Sequence, residues 1–109
     1  MASNGNLGAR RSVYVVDDDA LFRESLERNL ADAGFAVTGF ADGARALGHI
    51  GAQGAPSLIV LDWRMPGMTG IEVLRRLRDT DASTPVIFLT ALSDQIYEEA
   101  ALIGGAVDF

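Results

Sequence analysis

Two short apolar runs each end in carboxylates, and this pattern constrains the fold more than any other feature of the chain. Val13-Tyr14-Val15-Val16 runs into Asp17-Asp18-Asp19, and Leu58-Ile59-Val60-Leu61 runs into Asp62. Segments this short, apolar without alternation and rich in β-branched residues, read as strands covered on both faces. The second leads into Trp63-Arg64-Met65-Pro66-Gly67-Met68-Thr69-Gly70, whose proline and glycines mark a loop. Val86 to Thr90 has the same character, apolar up to its last residue.

Between these strands the apolar period lengthens to that of a helix. Ala20 to Ala33 carries Phe22, Leu26, Leu30 and Ala33 on one stripe, and Gly34 can take the left-handed stop. Phe35 to Phe40 reads as the second strand. Asp42 caps a short helix that ends at Ile50 and is closed by Gly51. Gln53 to Pro56 is loop. Thr69 caps a third helix, from Gly70 to Arg78, with Ile71, Leu74 and Leu77 inward. Ser93 or Asp94 caps a fourth, to Ile103, and Gly104-Gly105 ends it. Ala106 to Phe109 opens a fifth strand. Strands alternating with helices imply an α/β fold, a mostly parallel sheet with helices on both faces. Such sheets bind ligands beyond the carboxyl ends of their strands. Asp17, Asp18, Asp19, Asp62 and Thr90 all stand at such ends.

The 109 residues suit one domain. Residues 1–11 are expected to form a flexible leader and residues 12–109 the folded unit. A net charge of −6 argues against direct nucleic-acid contact by this segment. No apolar stretch approaches the ~18 residues that span a bilayer, and the N-terminus lacks a signal peptide's apolar core. The absence of cysteine excludes disulfides, thiolate nucleophiles and zinc-thiolate sites. The expected compartment is the cytoplasm, with no membrane partner.

Carboxylates gathered in one crevice repel, by about 4 kcal/mol per pair at 4 Å and an effective dielectric near 20. Either bound protons or a bound cation must offset this. Hard oxygen ligands with no histidine or cysteine nearby favour Mg²⁺, with Mn²⁺ able to substitute, over zinc. A carboxylate beside such an ion can attack phosphorus and form an acyl phosphate, while a hydroxyl helps to hold the transferring oxygens. Each residue alone has a plainer reading. Asp17-Asp18-Asp19 would be a solvated turn with a helix cap, Asp62 a turn residue, and Thr90 a β-former. Their joint placement at strand ends favours a functional site.

These residues resemble the receiver domain of two-component response regulators. The resemblance is carried by Val15-Val16-Asp17-Asp18-Asp19, Leu61-Asp62-Trp63-Arg64-Met65-Pro66-Gly67-Met68-Thr69-Gly70, Pro85-Val86-Ile87-Phe88-Leu89-Thr90-Ala91 and Gly105-Ala106-Val107-Asp108-Phe109, and it spans residues 12–109. It implies a flavodoxin-like doubly wound sheet of order 2-1-3-4-5, here truncated at the start of strand 5 and lacking helix 5. It also implies roles. Asp62 matches the acceptor of a phosphoryl group from a sensor histidine kinase or phosphotransfer protein. Asp18 matches the direct Mg²⁺ ligand, together with Asp62 and the backbone carbonyl of Arg64, and Asp17 the acid that reaches the metal through water. Thr90 matches the switch hydroxyl and Phe109 the switch aromatic. Ala91 is the small residue beside the phosphoryl group, and Asp19 is a cap of the first helix.

The family's lysine, three positions after the switch aromatic, would fall past Phe109. On this reading strand 4 lies near an exposed edge and the first helix shows apolar surface. The chain is then either part of a longer protein or covered there by self-association. His49 reads as a surface residue away from the crevice, Trp63 as a packing residue, and Arg75-Arg76-Arg78 as the polar face of the third helix. Arg64 and Leu92 occupy the two variable positions that tune dephosphorylation in the family. The implied function is a phosphorylation-dependent switch that catalyses only its own phosphorylation and dephosphorylation. Its output is expected to be transcription, through a DNA-binding effector outside this chain. A phosphorylation-independent docking or dimerisation module is the alternative. A haloacid-dehalogenase-type hydrolase would need a second aspartate where Arg64 stands.

Overall fold

Val13, Val15, Val16, Ile59 and Leu61 are all at most 2% exposed, so the two apolar runs do occupy the centre of a sheet. The computed structural model describes residues 10–62, 65, 67–80, 83–89 and 107–108. Its elements run β1 (Ser12–Val16), α1 (Ala20–Asp32), β2 (Ala36–Phe40), α2 (Gly43–Gln53), β3 (Leu58–Asp62), α3 (Gly70–Thr80), β4 (Val86–Leu89) and β5 (Val107–Asp108). All strands are parallel, in the order β2-β1-β3-β4-β5. The expected flavodoxin-like topology is therefore present. Residues 1–9 of the expected 1–11 leader, and the expected fourth helix, lie outside the described residues.

Strand alternation sorts the apolar side chains into two clusters. Tyr14, Val16, Ile59, Leu61, Val86 and Phe88 meet Ala46 of α2 and Ile71, Val73, Leu74 and Leu77 of α3. Val13, Val15 and Val60 face the other way, towards Leu26 and Leu30 of α1. A central strand must be apolar at every position to serve both layers.

Local chemistry sets the helix ends. The carboxylates of Asp19 and Asp42 accept the backbone N–H groups of Phe22 and Arg45, at 3.1 and 2.8 Å. The Thr69 hydroxyl accepts that of Glu72 at 3.3 Å. Each cap is worth about 1 kcal/mol. At the end of α1, Gly34 takes φ 102°. Its N–H donates to the Ala31 carbonyl, and the Phe35 N–H donates to that of Leu30. This pair of bonds is a Schellman closure. It also explains why β2 starts at Ala36 rather than at Phe35, whose N–H is already used by the helix.

Other boundaries differ from the sequence reading for tertiary reasons. α2 continues through Gly51 to Gln53 and stops at Gly54, which has φ 91° and donates its N–H to the Ile50 carbonyl. Leu47 and Ile50 pack on the core there. Their burial offsets the ~1 kcal/mol that a glycine costs inside a helix. α3 likewise runs two residues past Arg78. On α1 only Leu26 and Leu30 of the four-residue stripe pack inward, and Phe22 is 47% exposed beside Leu21 at 82%. β5 is bonded to β4 at Val86 and Ile87. At those positions β4 is therefore not a sheet edge, which corrects the expectation of an exposed edge there.

His49 also departs from expectation. It is half-buried, with its ring 5.4 Å from that of Tyr14 and 5.3 Å from that of Phe40. Burial pushes the Tyr14 phenol upward. Of Arg75-Arg76-Arg78, the first two form the polar face expected, whereas Arg78 is half-buried and donates to the Thr84 carbonyl at 2.7 Å. The Arg75 and Arg76 guanidiniums reach Glu72, at 3.3 and 3.0 Å, and hold its carboxyl below the usual range, the Arg76 hydrogen bond foremost.

Where α2 meets α3, a Cβ on Gly43 would collide with a methyl of Val73, itself 1% exposed, and touch the sulfur of Met68. Gly43→Ala is therefore expected to force the helices apart and to cost about 1–3 kcal/mol, the usual cost of overpacking. Urea unfolding would show this as a lower midpoint at unchanged slope.

Candidate functional site

The strand register brings the carboxylates together. Val16 pairs with Leu61, so the next residues, Asp17 and Asp62, stand level at the carboxyl edge of β1 and β3. Asp62 in turn pairs with Leu89, the last residue of β4. One carboxylate oxygen from each of Asp17, Asp18 and Asp62 lies within 4.8 Å of the others. Asp17 is buried, Asp62 half-buried and Asp18 exposed, so the cluster opens to solvent on the Asp18 side.

Asp17 is the most constrained of the three. Its N–H donates to the Phe40 carbonyl at 3.1 Å, which extends the β1–β2 ladder one residue past Val16. Its carboxylate accepts the Asp19 N–H at 2.9 Å. Its carbonyl accepts a guanidinium N–H from Arg23 at 2.8 Å. Asp19 turns its own carboxylate to the first turn of α1 and stays outside the cluster, as the sequence reading expects.

Two methionines after Asp62 anchor in the core. Met65 is 7% exposed within the main core, and Met68 packs against the same cluster. Gly67 turns the chain between them at φ 85°, a conformation that favours glycine. Trp63, Arg64, Thr90, Ala91, Leu92 and Phe109 lie outside the described residues. Of the expected site residues, then, the structure gathers Asp17, Asp18 and Asp62.

Sequence reasoning passed over Arg23 and Glu27. Arg23 Nε lies 3.4 Å from the Glu27 carboxylate, four residues on. Charges spaced i,i+4 near a helix N-terminus usually read as solvated surface. Only the hydrogen bond to Asp17 marks this pair as something more.

The donor set suits a small divalent ion. All three groups are hard carboxylate oxygens, and no histidine or cysteine joins the described cluster. An octahedral Mg²⁺ binds oxygens at about 2.0–2.1 Å and keeps several waters. Three hard oxygens this close, one of them on an exposed residue, match the donors such an ion takes. A groove lies elsewhere, between α2 and α3, lined by Leu47, Ile50, Ala55, Arg76 and Thr80 among others.

Comparison with known proteins gives the class. Residues 13–109 match the family model of the response regulator receiver domain. The chain is 40% identical over 101 residues to the C4-dicarboxylate transport transcriptional regulatory protein DctD of Pseudomonas aeruginosa, covering 93% of this chain and 22% of DctD. It is 40% identical over 100 residues to the DNA-binding transcriptional regulator NtrC of Escherichia coli K12, covering 92% and 21%. Its fold superposes on the chemotaxis protein CheY4 of Vibrio cholerae with a TM-score of 0.81 at 29% identity, covering 92% of this chain and 85% of CheY4. The chain belongs to the response regulator receiver domain family. It spans about a fifth of the length of the two curated regulators. Among the described residues no helix is long and apolar enough to cross a membrane.

Proposed function

We propose that this chain is a phosphoacceptor module in which Asp62 takes a phosphoryl group from the phosphohistidine of a sensor histidine kinase or phosphotransfer protein. The receiver occupies residues 12–109, preceded by a leader over residues 1–11. The observation that carries the reading is the meeting of Asp17, Asp18 and Asp62 at the carboxyl edge of the sheet.

Asp18 and Asp62, with the backbone carbonyl of Arg64, would hold Mg²⁺ directly, and Asp17 would hold it through water. When bound, the ion supplies positive charge to the phosphoryl oxygens and offsets the carboxylate repulsion. A carboxylate oxygen of Asp62 bonds to phosphorus as the phosphorus–nitrogen bond to the donor imidazole breaks, and the imidazole ring, protonated from solvent, leaves as neutral imidazole. Thr90 steadies the transferred group through its hydroxyl, and Phe109 follows that movement as the switch aromatic. The chain acts on itself rather than turning over an outside substrate. Output passes to transcription through a DNA-binding effector beyond this segment, a reading supported by the DctD and NtrC names. The compartment is the cytoplasm. Any pairing between copies through the β4 side of the sheet would use β5, the outermost strand.

Incubation with acetyl phosphate should add the mass of one phosphoryl group with Mg²⁺ present and none with excess chelator. A phosphorylation-independent docking module would gain no mass in either case. Mg²⁺ should also stabilise the native cluster. At ten times its Kd it is expected to add about 1.4 kcal/mol. For a domain of this size that raises the melting temperature by several degrees, at roughly 4–8 °C per kcal/mol. An unchanged melting curve across millimolar Mg²⁺ would count against the metal assignment.

A further inference from the structure

Asp17 reaches its place through its backbone, and one cationic side chain holds that backbone. The Arg23 side chain is only 16% exposed, and one guanidinium arm donates to the Asp17 carbonyl at 2.8 Å. Its Nε faces the Glu27 carboxylate at 3.4 Å, and the Glu27 side chain is 31% exposed. β2 makes room for this pair. A Cβ on Gly39 would run into the Glu27 carboxylate. The contact therefore ties together α1, the end of β1 and the middle of β2.

We propose that the Arg23–Glu27 pair is a brace that positions Asp17 for cation binding, with Arg23 as a positioning residue and not a ligand. The proposal rests on the Mg²⁺ reading above. The physical case is one of geometry. The Asp17 carboxylate already accepts the Asp19 N–H, so its direction depends on how the backbone turns after β1. That turn is fixed on one side by the ladder bond to Phe40 and on the other by Arg23. A charge-assisted hydrogen bond is roughly twice as strong as a neutral one. Glu27 keeps the guanidinium in place and cancels its charge, so the brace does not repel the cation it prepares for. Groups that orient metal ligands from outside the coordination sphere typically change affinity by 10–100-fold.

Sign separates this account from simple electrostatics. Arg23→Met keeps an unbranched apolar stem and deletes the guanidinium. It leaves Glu27 as an extra negative charge near the cluster, which on charge alone would tighten Mg²⁺ binding. The brace requires the opposite. Mg²⁺ affinity by calorimetry on the 109-residue chain is expected to fall roughly tenfold. Amide hydrogen exchange in the metal-free chain should report the same loosening. Exchange at Asp19 should speed up, while the central amides of β3 stay protected, a local change that general destabilisation would not give.

Unchanged or tighter Mg²⁺ binding in Arg23→Met would overturn the brace while leaving the metal site standing. No Mg²⁺ binding by the wild-type chain would overturn the metal reading itself, and the brace with it. Should Arg23→Met fail to fold, Gly39→Ala decides the matter. It changes no charge and reaches the pair by displacing Glu27 from the other side. Weaker Mg²⁺ binding and faster Asp19 exchange are expected there, and wild-type values for both would overturn the proposal.

Discussion

Asp62→Asn is expected to abolish phosphoryl uptake from acetyl phosphate while making the metal-free chain more stable. The two effects share one cause. Asp62 lies half-buried at the end of β3, with Asp17 and Asp18 oxygens within 4.8 Å. Its carboxylate is the only member of the cluster on the strand that precedes the family's proline loop. An amide in its place has no anionic oxygen to offer phosphorus, so the loss should be complete rather than graded. The amide also removes one of three mutually repelling charges. Even at the bulk-water strength of one such pair, this should stabilise the metal-free fold by about 1 kcal/mol. That corresponds to a melting temperature higher by roughly 4–8 °C. The rise should vanish at saturating Mg²⁺, where the wild-type cluster is neutralised and the variant has lost a ligand. A variant that still gains the phosphoryl mass, or one that melts lower than wild type without metal, would contradict this view of the cluster.

The largest stability effect is expected one residue earlier. Leu61 is 0% exposed in the main core, paired across the sheet with Val16 on one side and Phe88 on the other. Leu61→Ala removes contacts to both neighbours and to the α2 and α3 layer above them. Truncations of this kind cost about 2.7–5.0 kcal/mol, depending on how far the site collapses. Against a typical total of about 5–15 kcal/mol, that is a large share. Leu21→Ala is the contrasting control, because Leu21 is 82% exposed and its loss should shift stability by no more than about 0.5 kcal/mol. If the two variants unfolded at the same urea concentration, the sheet centre would not be where the register puts it.

The parts of this molecule that could be read from sequence are those decided locally or by period. Asp19, Asp42 and Thr69 cap helices because the group they satisfy is three residues away. The meeting of Asp17, Asp18 and Asp62 was legible because apolar runs on parallel strands set the register, and register sets what lies beyond the strand ends. What escaped depends on distant partners. Gly51 stays helical because Leu47 and Ile50 pack on the core, and His49 is half-buried because Tyr14 and Phe40 supply its surroundings. Arg23 escaped because nothing in a linear pattern shows its guanidinium reaching back to Asp17. The roles proposed for Thr90, Phe109 and the Arg64 carbonyl come from the family resemblance.

The most direct test locates the phosphoryl group. The chain would be treated with acetyl phosphate and Mg²⁺ and then reduced with borohydride, which converts an acyl phosphate selectively to an alcohol. Peptide mass mapping then identifies the residue. Conversion confined to the peptide bearing Asp62, and absent when Mg²⁺ is chelated, is the expected result. Conversion at Asp17 or Asp18 instead, or none anywhere while the chain remains folded, would contradict the assignment of Asp62 as acceptor.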